Sequence, residues 1–512
     1  MIIFDQTTFS YHKDGSQPIL SNVSFTVQPG EHLAVMGGNG SGKTTLGMLL
    51  AGIIKPQSGQ IKLNGSESNG NSPIVGFLFQ DPDNGLVATT VEREVAFALE
   101  NQNMNPILMN EIVNATLNSF HLENFRQRLV WQLSGGEKQR LSLAGLIASK
   151  PDILFLDEPA SYLDYTGAQL LNRTLEEITQ ANPDIIVLRV TQFARVAEKY
   201  KRILIIGKGS ILRDSSPEEI FSDSEFIESN HISPPLKYLT HHMAEAPKKK
   251  ETIANNRQET ILELQNVNYS YDKEANNRVV FDLSLSVFRG EIVTLMGSSG
   301  AGKSTIAQVI CGLLGPESGE VSFSDSNIKA VMCFQQPERQ FYLETVYDEV
   351  AYGVKVKVAS DALVKARVRE SLEFAGLDYS VFKNRDPHSL SGGEARKLAF
   401  AIILALDADV LIFDEPTCGL DDEGVFGFIE MVRNLKQLAK AVVIISHNSD
   451  VIGEVSERII YLKDGRVDYE GGLIEFFTMD KYKETVDIPA VIQYQIENCE
   501  SVITSRMSDM LK

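Results

Sequence analysis

The sequence predicts an α/β protein in which one unit is built twice. Three observations carry that prediction. The loop Gly37-Gly38-Asn39-Gly40-Ser41-Gly42-Lys43-Thr44 fits the phosphate-binding pattern G-x-x-x-x-G-K-[ST] at every fixed position. A loop of the same form returns as Gly297-Ser298-Ser299-Gly300-Ala301-Gly302-Lys303-Ser304. Each half then carries an apolar run that ends in two carboxylates: Ile153-Leu154-Phe155-Leu156 before Asp157-Glu158, and Leu411-Ile412-Phe413 before Asp414-Glu415.

The chain opens with strand-like runs, Ile2-Ile3-Phe4, Phe9-Ser10-Tyr11 and Val23 to Val27, the last ending at the turn Pro29-Gly30. They read as an antiparallel piece that leads into the first glycine loop. Leu33-Ala34-Val35-Met36 reads as a buried strand, and Thr45 to Leu50 as the first turns of a helix. In that strand–loop–helix setting the glycines let backbone N–H groups approach phosphates, with a helix N-terminus behind them. Lys43 is placed to reach the β- and γ-phosphates, and Thr44 to hold Mg²⁺. Tyr11 and Tyr271 precede their loops by the same interval, which marks both as candidates to stack on an adenine ring.

Ile74 to Phe79 reads as a strand that ends at Gln80, a side chain able to ligate Mg²⁺ or orient the attacking water. From Val91 to Gln132 the apolar spacing becomes helical, which predicts a helical lobe inserted into the α/β unit. The lobe ends at Leu133-Ser134-Gly135-Gly136-Glu137, where Ser134 is suited to N-cap the long helix that follows. Asp157 would hold Mg²⁺ through water, and Glu158 would polarise the attacking water. A further strand, Ile185 to Leu188, leads to Thr191-Gln192.

Every feature recurs in order. Gln335 follows Val331 to Phe334, Leu390-Ser391-Gly392-Gly393-Glu394 repeats the serine–glycine segment, and Val442 to Ile445 leads to Ser446-His447. The offsets stay nearly constant (297 − 37 = 260; 335 − 80 = 255; 414 − 157 = 257), which is an internal duplication. One pair breaks the symmetry: Gln192 stands where the second half has His447. A hydrogen bond from a charged group is worth about 1.5–3 kcal/mol against about 0.5–1.5 for a neutral one. A protonated His447 therefore predicts the stronger γ-phosphate grip at the second site.

Bulk properties narrow the class. With 512 residues the chain exceeds one core. A net charge of −20 argues against a general nucleic-acid binder, since phosphate backbones are held by Lys and Arg. No apolar run reaches membrane-spanning length; Leu398 to Leu406 is stopped by Asp407. The start, Met1-Ile2-Ile3-Phe4-Asp5, lacks a basic region, so no signal peptide is expected. Cys311, Cys333, Cys418 and Cys499 have no metal-type spacing and read as reduced, which suits the cytosol. The polar stretch 241–258, with Pro247-Lys248-Lys249-Lys250, reads as a linker between a first domain, 1–240, and a second, 259–490, followed by a tail, 491–512.

These motifs together resemble the ATP-binding cassette (ABC) ATPase family over both halves, with Leu133 to Glu137 and Leu390 to Glu394 as its signature sequence. The resemblance implies two tandem P-loop NTPase domains, each with a RecA-like α/β core, an antiparallel β subdomain and a helical lobe. It implies ATP and Mg²⁺ as cofactors, and intramolecular head-to-tail pairing. One site would then combine Tyr11, Gly37 to Thr44, Gln80, Asp157, Glu158 and Gln192 with Ser391 and Gly393. The other would combine Tyr271, Gly297 to Ser304, Gln335, Asp414, Glu415 and His447 with Ser134 and Gly136. Mg²⁺ would fall to Thr44, Gln80 and Asp157, and to Ser304, Gln335 and Asp414. The loops Ser161-Tyr162-Leu163-Asp164 and Cys418-Gly419-Leu420-Asp421 resemble the family's D-loops. Gln192 departs from the family's switch histidine, which makes the first site the weaker hydrolase.

Phe79 to Asn84 with Thr90 to Phe97, and Phe334 to Gln340 with Glu344 to Gly353, resemble the ATPases of energy-coupling factor (ECF) vitamin and metal importers. That likeness implies a peripheral protein on the cytoplasmic face of the membrane, partnered by integral membrane subunits: a transmembrane coupling protein and a substrate-binding protein. A soluble twin-cassette ATPase acting on ribosomes or nucleic acid shares the duplication. The ribosomal type, however, carries a long charged helical linker that this chain lacks. A fused sugar-importer ATPase also joins two cassettes, but the segments after Gln80 and Gln335 fit it less well.

Overall fold

Alternating burial along Ile2–Phe9 (β1) gives the strand one apolar face, so it packs on one side and pairs at both edges. Its antiparallel neighbours are β2 (Leu20–Val27) and β4 (Ser58–Leu63), in the order β2-β1-β4. Phe4 of β1 stacks on Phe25 of β2 with ring centroids 4.7 Å apart. The computed structural model describes residues 1–12, 16–63, 73–161, 163–239, 259–271, 278–358, 360–498, 504 and 506. The expected linker 241–258, Tyr162 of the first D-loop and Cys499 lie outside these residues. The chain divides into two units, Met1–Tyr238 and Leu239–Lys512.

In the first unit, β3 (His32–Met36) forms the middle of a six-stranded sheet. Its partners are β5 (Val75–Leu78), β6 (Ile153–Asp157), β7 (Ile186–Val190), β8 (Arg202–Gly207) and β9 (Ser210–Ser215), in the order β5-β6-β7-β3-β8-β9. All neighbours are parallel except the edge pair β8–β9. The inner strands are buried along their whole length, which suits a parallel sheet covered on both faces. Helices α1 (Lys43–Leu50) and α5 (Tyr165–Ala181) flank it. Gly47 of α1 makes room for Phe155 of β6: a Cβ there would stand 2.3 Å from the ring.

The helical lobe is α2 (Val91–Asn101), α3 (Pro106–Ser119) and α4 (Gly135–Ala148). Val95, Leu99, Val113, Leu117 and Leu141 form its core at helical spacing. Short helices α6 (Ala194–Ala197), α7 (Pro217–Phe221), α8 (Ser224–Ser229) and α9 (Leu236–Leu239) follow the sheet.

The second unit repeats this plan. Its antiparallel piece is β11 (Arg278–Phe288), β10 (Thr260–Ser270) and β13 (Ser318–Phe323). Its sheet runs β14 (Ala330–Cys333), β15 (Val410–Asp414), β16 (Ala441–Ile445), β12 (Ile292–Gly297), β17 (Arg458–Lys463), β18 (Arg466–Gly472). Helix α10 (Lys303–Ile310) follows the loop; α11 (Val346–Lys357), α12 (Asp361–Phe374), α13 (Tyr379–Phe382) and α14 (Gly392–Ala405) build the lobe. Then come α15 (Asp422–Gln437), α16 (Ser449–Val455), α17 (Leu473–Thr478) and α18 (Ala490–Asn498). Val491 and Ile492 of α18 are buried, and the N–H of Ala490 donates to Asp450 of α16 at 2.7 Å. Among the described residues no helix is long and apolar enough to cross a membrane.

Candidate functional site

The strand order puts β3 and β12 between neighbours that are distant in sequence, so each glycine loop opens at the carboxyl end of a central strand. Gly37 and Gly297 adopt φ of 150° and 147°, where a Cβ would run into the backbone oxygens of Ile206 and Leu462. Lys43 Nζ donates to the carbonyls of Gly37 and Gly38 at 2.8 and 2.9 Å, and Lys303 Nζ to those of Gly297 and Ser298 at 2.7 and 2.9 Å. Each lysine is buried and folded over its own loop, poised above the cradle of Gly40 and Gly42, or Gly300, Ala301 and Gly302. Ser41 Oγ is buried without a hydrogen-bond partner. That unmet hydroxyl in an amide-lined loop fits a phosphate.

The hydroxyl of Thr44 donates to Asp157 Oδ2 at 2.6 Å, and Ser304 hydrogen-bonds Asp414 in the same way. Burial pushes Asp157 up to about 6, with Glu158 adding to the rise, and burial also raises Asp414. Thr44 and Lys43 therefore compensate Asp157 only in part, the setting that a divalent cation fits. Among the described residues no cluster of three His, Cys, Asp or Glu gathers anywhere. Mg²⁺ needs only one or two protein oxygens and completes its shell with phosphate and water.

Glu158 and Glu415 both sit at positive φ, 44° and 47°, in the left-handed region that non-glycine residues avoid. The strain turns each carboxylate out of its strand toward the glycine loop. The two carboxylates then differ. Glu158 accepts from Gln80 Nε2 at 3.0 Å, from the Ser161 hydroxyl at 3.0 Å and from Gln192 Nε2. Gln192 Nε2 also reaches Asn39 Oδ1 at 3.3 Å. Glu415 accepts from the backbone N–H of His447 at 3.4 Å, with His447 Nε2 at 3.5 Å. Burial and then the charge of Asp414 push Glu415 up to about 7.

The remaining candidates fall into two groups. Tyr11 and Tyr271 are 58% and 61% exposed, and their hydroxyls touch Thr45 and Thr305 at 3.3 and 3.0 Å, so each ring stands beside its loop with an open face. Ser134 and Ser391 are exposed N-caps of α4 and α14, each in a capping box with Glu137 or Glu394. Gly136 and Gly393 lie in the first turns of those helices.

Four side chains outside the motif positions support the site. Buried Arg396 of α14 donates to the carbonyls of Gln335 at 2.8 Å and Glu415 at 3.1 Å, joining two site strands. Its counterpart, Gln139, reaches the carbonyl of Pro159 at 3.2 Å. Buried Glu94 and Glu349 accept backbone N–H groups of Val87 and Ala88, and of Tyr342 and Leu343, which fixes the loops beyond Gln80 and Gln335.

Two mostly parallel sheets, each with a phosphate loop facing a paired carboxylate, define a P-loop protein with two nucleotide-binding cassettes. The profile of the ABC transporter family matches residues 20–161 and 280–418, and the chain belongs to that family. It is a tandem-cassette ABC ATP-binding protein, of a family that generally binds ATP with Mg²⁺ and hydrolyses it. A Vibrio vulnificus protein named as an ABC transporter ATP-binding protein is 30% identical over 97% of this chain and 94% of its own length. A Bacillus subtilis protein named as an HMP/thiamine import ATP-binding protein is 27% identical over 94% of this chain and 93% of its own. An archaeal ribosome recycling factor, solved with a ribosomal stalk protein, shares the fold with a TM-score of 0.63 at 21% identity, covering 92% of this chain and 90% of that one.

Proposed function

We propose that the chain hydrolyses ATP to energise a membrane importer of the ECF type, carrying a vitamin or a metal ion. The observation that supports this most is the match with the Bacillus subtilis import ATP-binding protein, which spans both cassettes of this chain and nearly the whole length of that protein. Each unit also leaves an apolar pair exposed beside its glutamine loop: Val87 and Phe97 in the first, Tyr342 and Tyr352 in the second. Exposed apolar side chains on a loop tied by a buried glutamate, and on the helix that follows it, suit a docking surface for membrane subunits, a coupling protein that works with a substrate-binding protein. The protein would then act at the cytoplasmic face of the membrane.

In this reading Lys43 and Lys303 swing from their carbonyls to the β- and γ-phosphates, while Tyr11 and Tyr271 stack on adenine. Thr44, Gln80 and Asp157, with Ser304, Gln335 and Asp414, would hold Mg²⁺, which neutralises charge on the phosphates. Glu415 takes the proton of the attacking water, and His447 donates to the γ-phosphate. Ser391 and Gly393, and Ser134 and Gly136, would each offer donors to the γ-phosphate of a bound nucleotide. The first site is the slower one, because neutral donors from Gln80, Ser161 and Gln192 already occupy Glu158.

Purification of the tagged full chain from its native membrane tests the partner. Recovery of an integral membrane protein is expected; recovery with ribosomes, and no membrane protein, overturns the proposal. Turnover tests the asymmetry: Glu415→Gln should remove most ATPase activity and Glu158→Gln much less. Equal losses refute it.

A further inference from the structure

The cleft at the amino-terminal edge of the first unit's sheet holds a charge that the ATP sites do not use. Arg189 lies inside β7, where every residue is buried, and is itself only 5% exposed. Arginine stays charged at any physiological pH, so burying it demands an anion nearby. Among the described residues no carboxylate pairs with it: Nη1 donates to the neutral Asn172 Oδ1 at 2.7 Å, and Nε is buried with no partner. Arg189 is among the residues lining a cleft of about 1100 Å³. His32 Nε2, in the same cleft, is also buried without a partner. Exposed Lys199 and Lys201 stand at the rim. Arg202 contributes nothing free, since Glu31, Asp214 and the Thr26 carbonyl already take its donors. Glu176 and Glu219 are the cleft's other acids, and Glu219 is engaged by the Ser215 hydroxyl.

The second unit shows that the fold does not require this arrangement. Arg189 pairs with Ala34 across β7–β3, and Ile444 pairs with Thr294 across β16–β12, so isoleucine occupies the arginine's place. Ile292 replaces His32 by the same register, while Val455 and Glu457 replace Lys199 and Lys201 ahead of the matched Arg202 and Arg458. There the charges close on one another, Glu457 with Lys436 and Glu454 with Arg433.

We propose that the first unit's cleft is a binding site for a small dianion, a phosphate monoester or a dicarboxylate, seated on Arg189 with Lys199 and Lys201 closing over it. Paired donors on a planar guanidinium and two flexible ammonium groups match a doubly charged oxyanion in both geometry and charge.

The test is titration calorimetry on the full chain with MgADP saturating both glycine loops, using inorganic phosphate in one arm and succinate in the other. At least one probe should bind saturably, and whichever binds identifies the ligand class. Arg189→Ile, which installs the second unit's own residue, should weaken binding at least tenfold. Lys199→Val with Lys201→Glu, at exposed positions that leave folding intact, should weaken it severalfold. No saturable binding of either probe, or unchanged affinity in Arg189→Ile, overturns the proposal. If Arg189→Ile does not fold, unchanged affinity in the lysine variant overturns it.

Discussion

Gly47→Ala in α1 sets two effects of opposite sign against each other, and the structure decides between them. An alanine inside a helix gains about 1 kcal/mol over glycine from backbone entropy. Here its Cβ would lie 2.3, 2.5 and 2.6 Å from three ring atoms of Phe155, well inside contact distance. The ring has no room to retreat: Phe155 is fully buried and stacks on Phe77 with centroids 5.3 Å apart. Overpacking of this kind costs about 1–3 kcal/mol, so the single variant should lose up to about 2 kcal/mol net. The second unit contains the solution, Ala307 against Ile412, both buried. Phe155→Ile alone leaves a void and should cost about 1–3 kcal/mol. The double variant should recover most of both losses, for a coupling of about 2 kcal/mol. Urea titration followed by circular dichroism, with the single Trp131 as a probe of the first unit, measures the cycle. Additive losses would refute the argument that the two copies solve one packing problem with different residue pairs.

Other outcomes follow from the same geometry. Gln192→His should raise turnover of the first site, read as residual ATPase activity in a Glu415→Gln background; no gain would mean that Glu158, not the switch residue, limits that site. Arg396→Ala strips two charged hydrogen bonds from part-buried carbonyls and should cost about 3 kcal/mol, seen as a lower midpoint of unfolding, with weaker MgATP binding at the second site. Lys440 first, then Arg367, hold Asp407 below the usual carboxylate range. The depressed pKa makes this stabilisation present above the unfolded value near 3.9 and lost as pH falls through the folded one. Asp407→Asn should therefore cost under about 1 kcal/mol at neutral pH, and nothing once the carboxylate is protonated in both states. Burial pushes the Cys311 thiol up to about 12, so alkylation by iodoacetamide at pH 8 should be far slower than for a free thiol.

The parts legible in sequence are those where one residue type alone satisfies the backbone or the charge. Gly37 and Gly297 need a φ that clashes for any side chain, and Ser134 needs a free hydroxyl at a helix start, so these stand out unaided. Strand β4 did not: Ser58–Leu63 has no alternation because it lies at an edge with little buried. Arg189 and Arg396 were also invisible. An arginine inside an apolar strand, or beside Lys397 on a helix, says nothing until the fold supplies its neighbours, and those of Arg396 lie 19 and 61 residues away in the chain. The unequal grip on Glu158 and Glu415 was half legible. Gln192 and His447 could be read off, but the donors from Gln80 and Ser161 come from separate loops.

The cap of α4 has a further consequence in the way a hydroxyl divides its valences. Ser134 Oγ spends a lone pair on the Glu137 N–H, and the Glu137 carboxylate covers the serine's own backbone N–H. The serine proton takes no part in either bond, so one oxygen can start a helix and still offer a hydrogen to an incoming oxyanion. Alanine would remove both abilities together. Aspartate would separate them, keeping the helix start while turning the offered proton into a repelling charge.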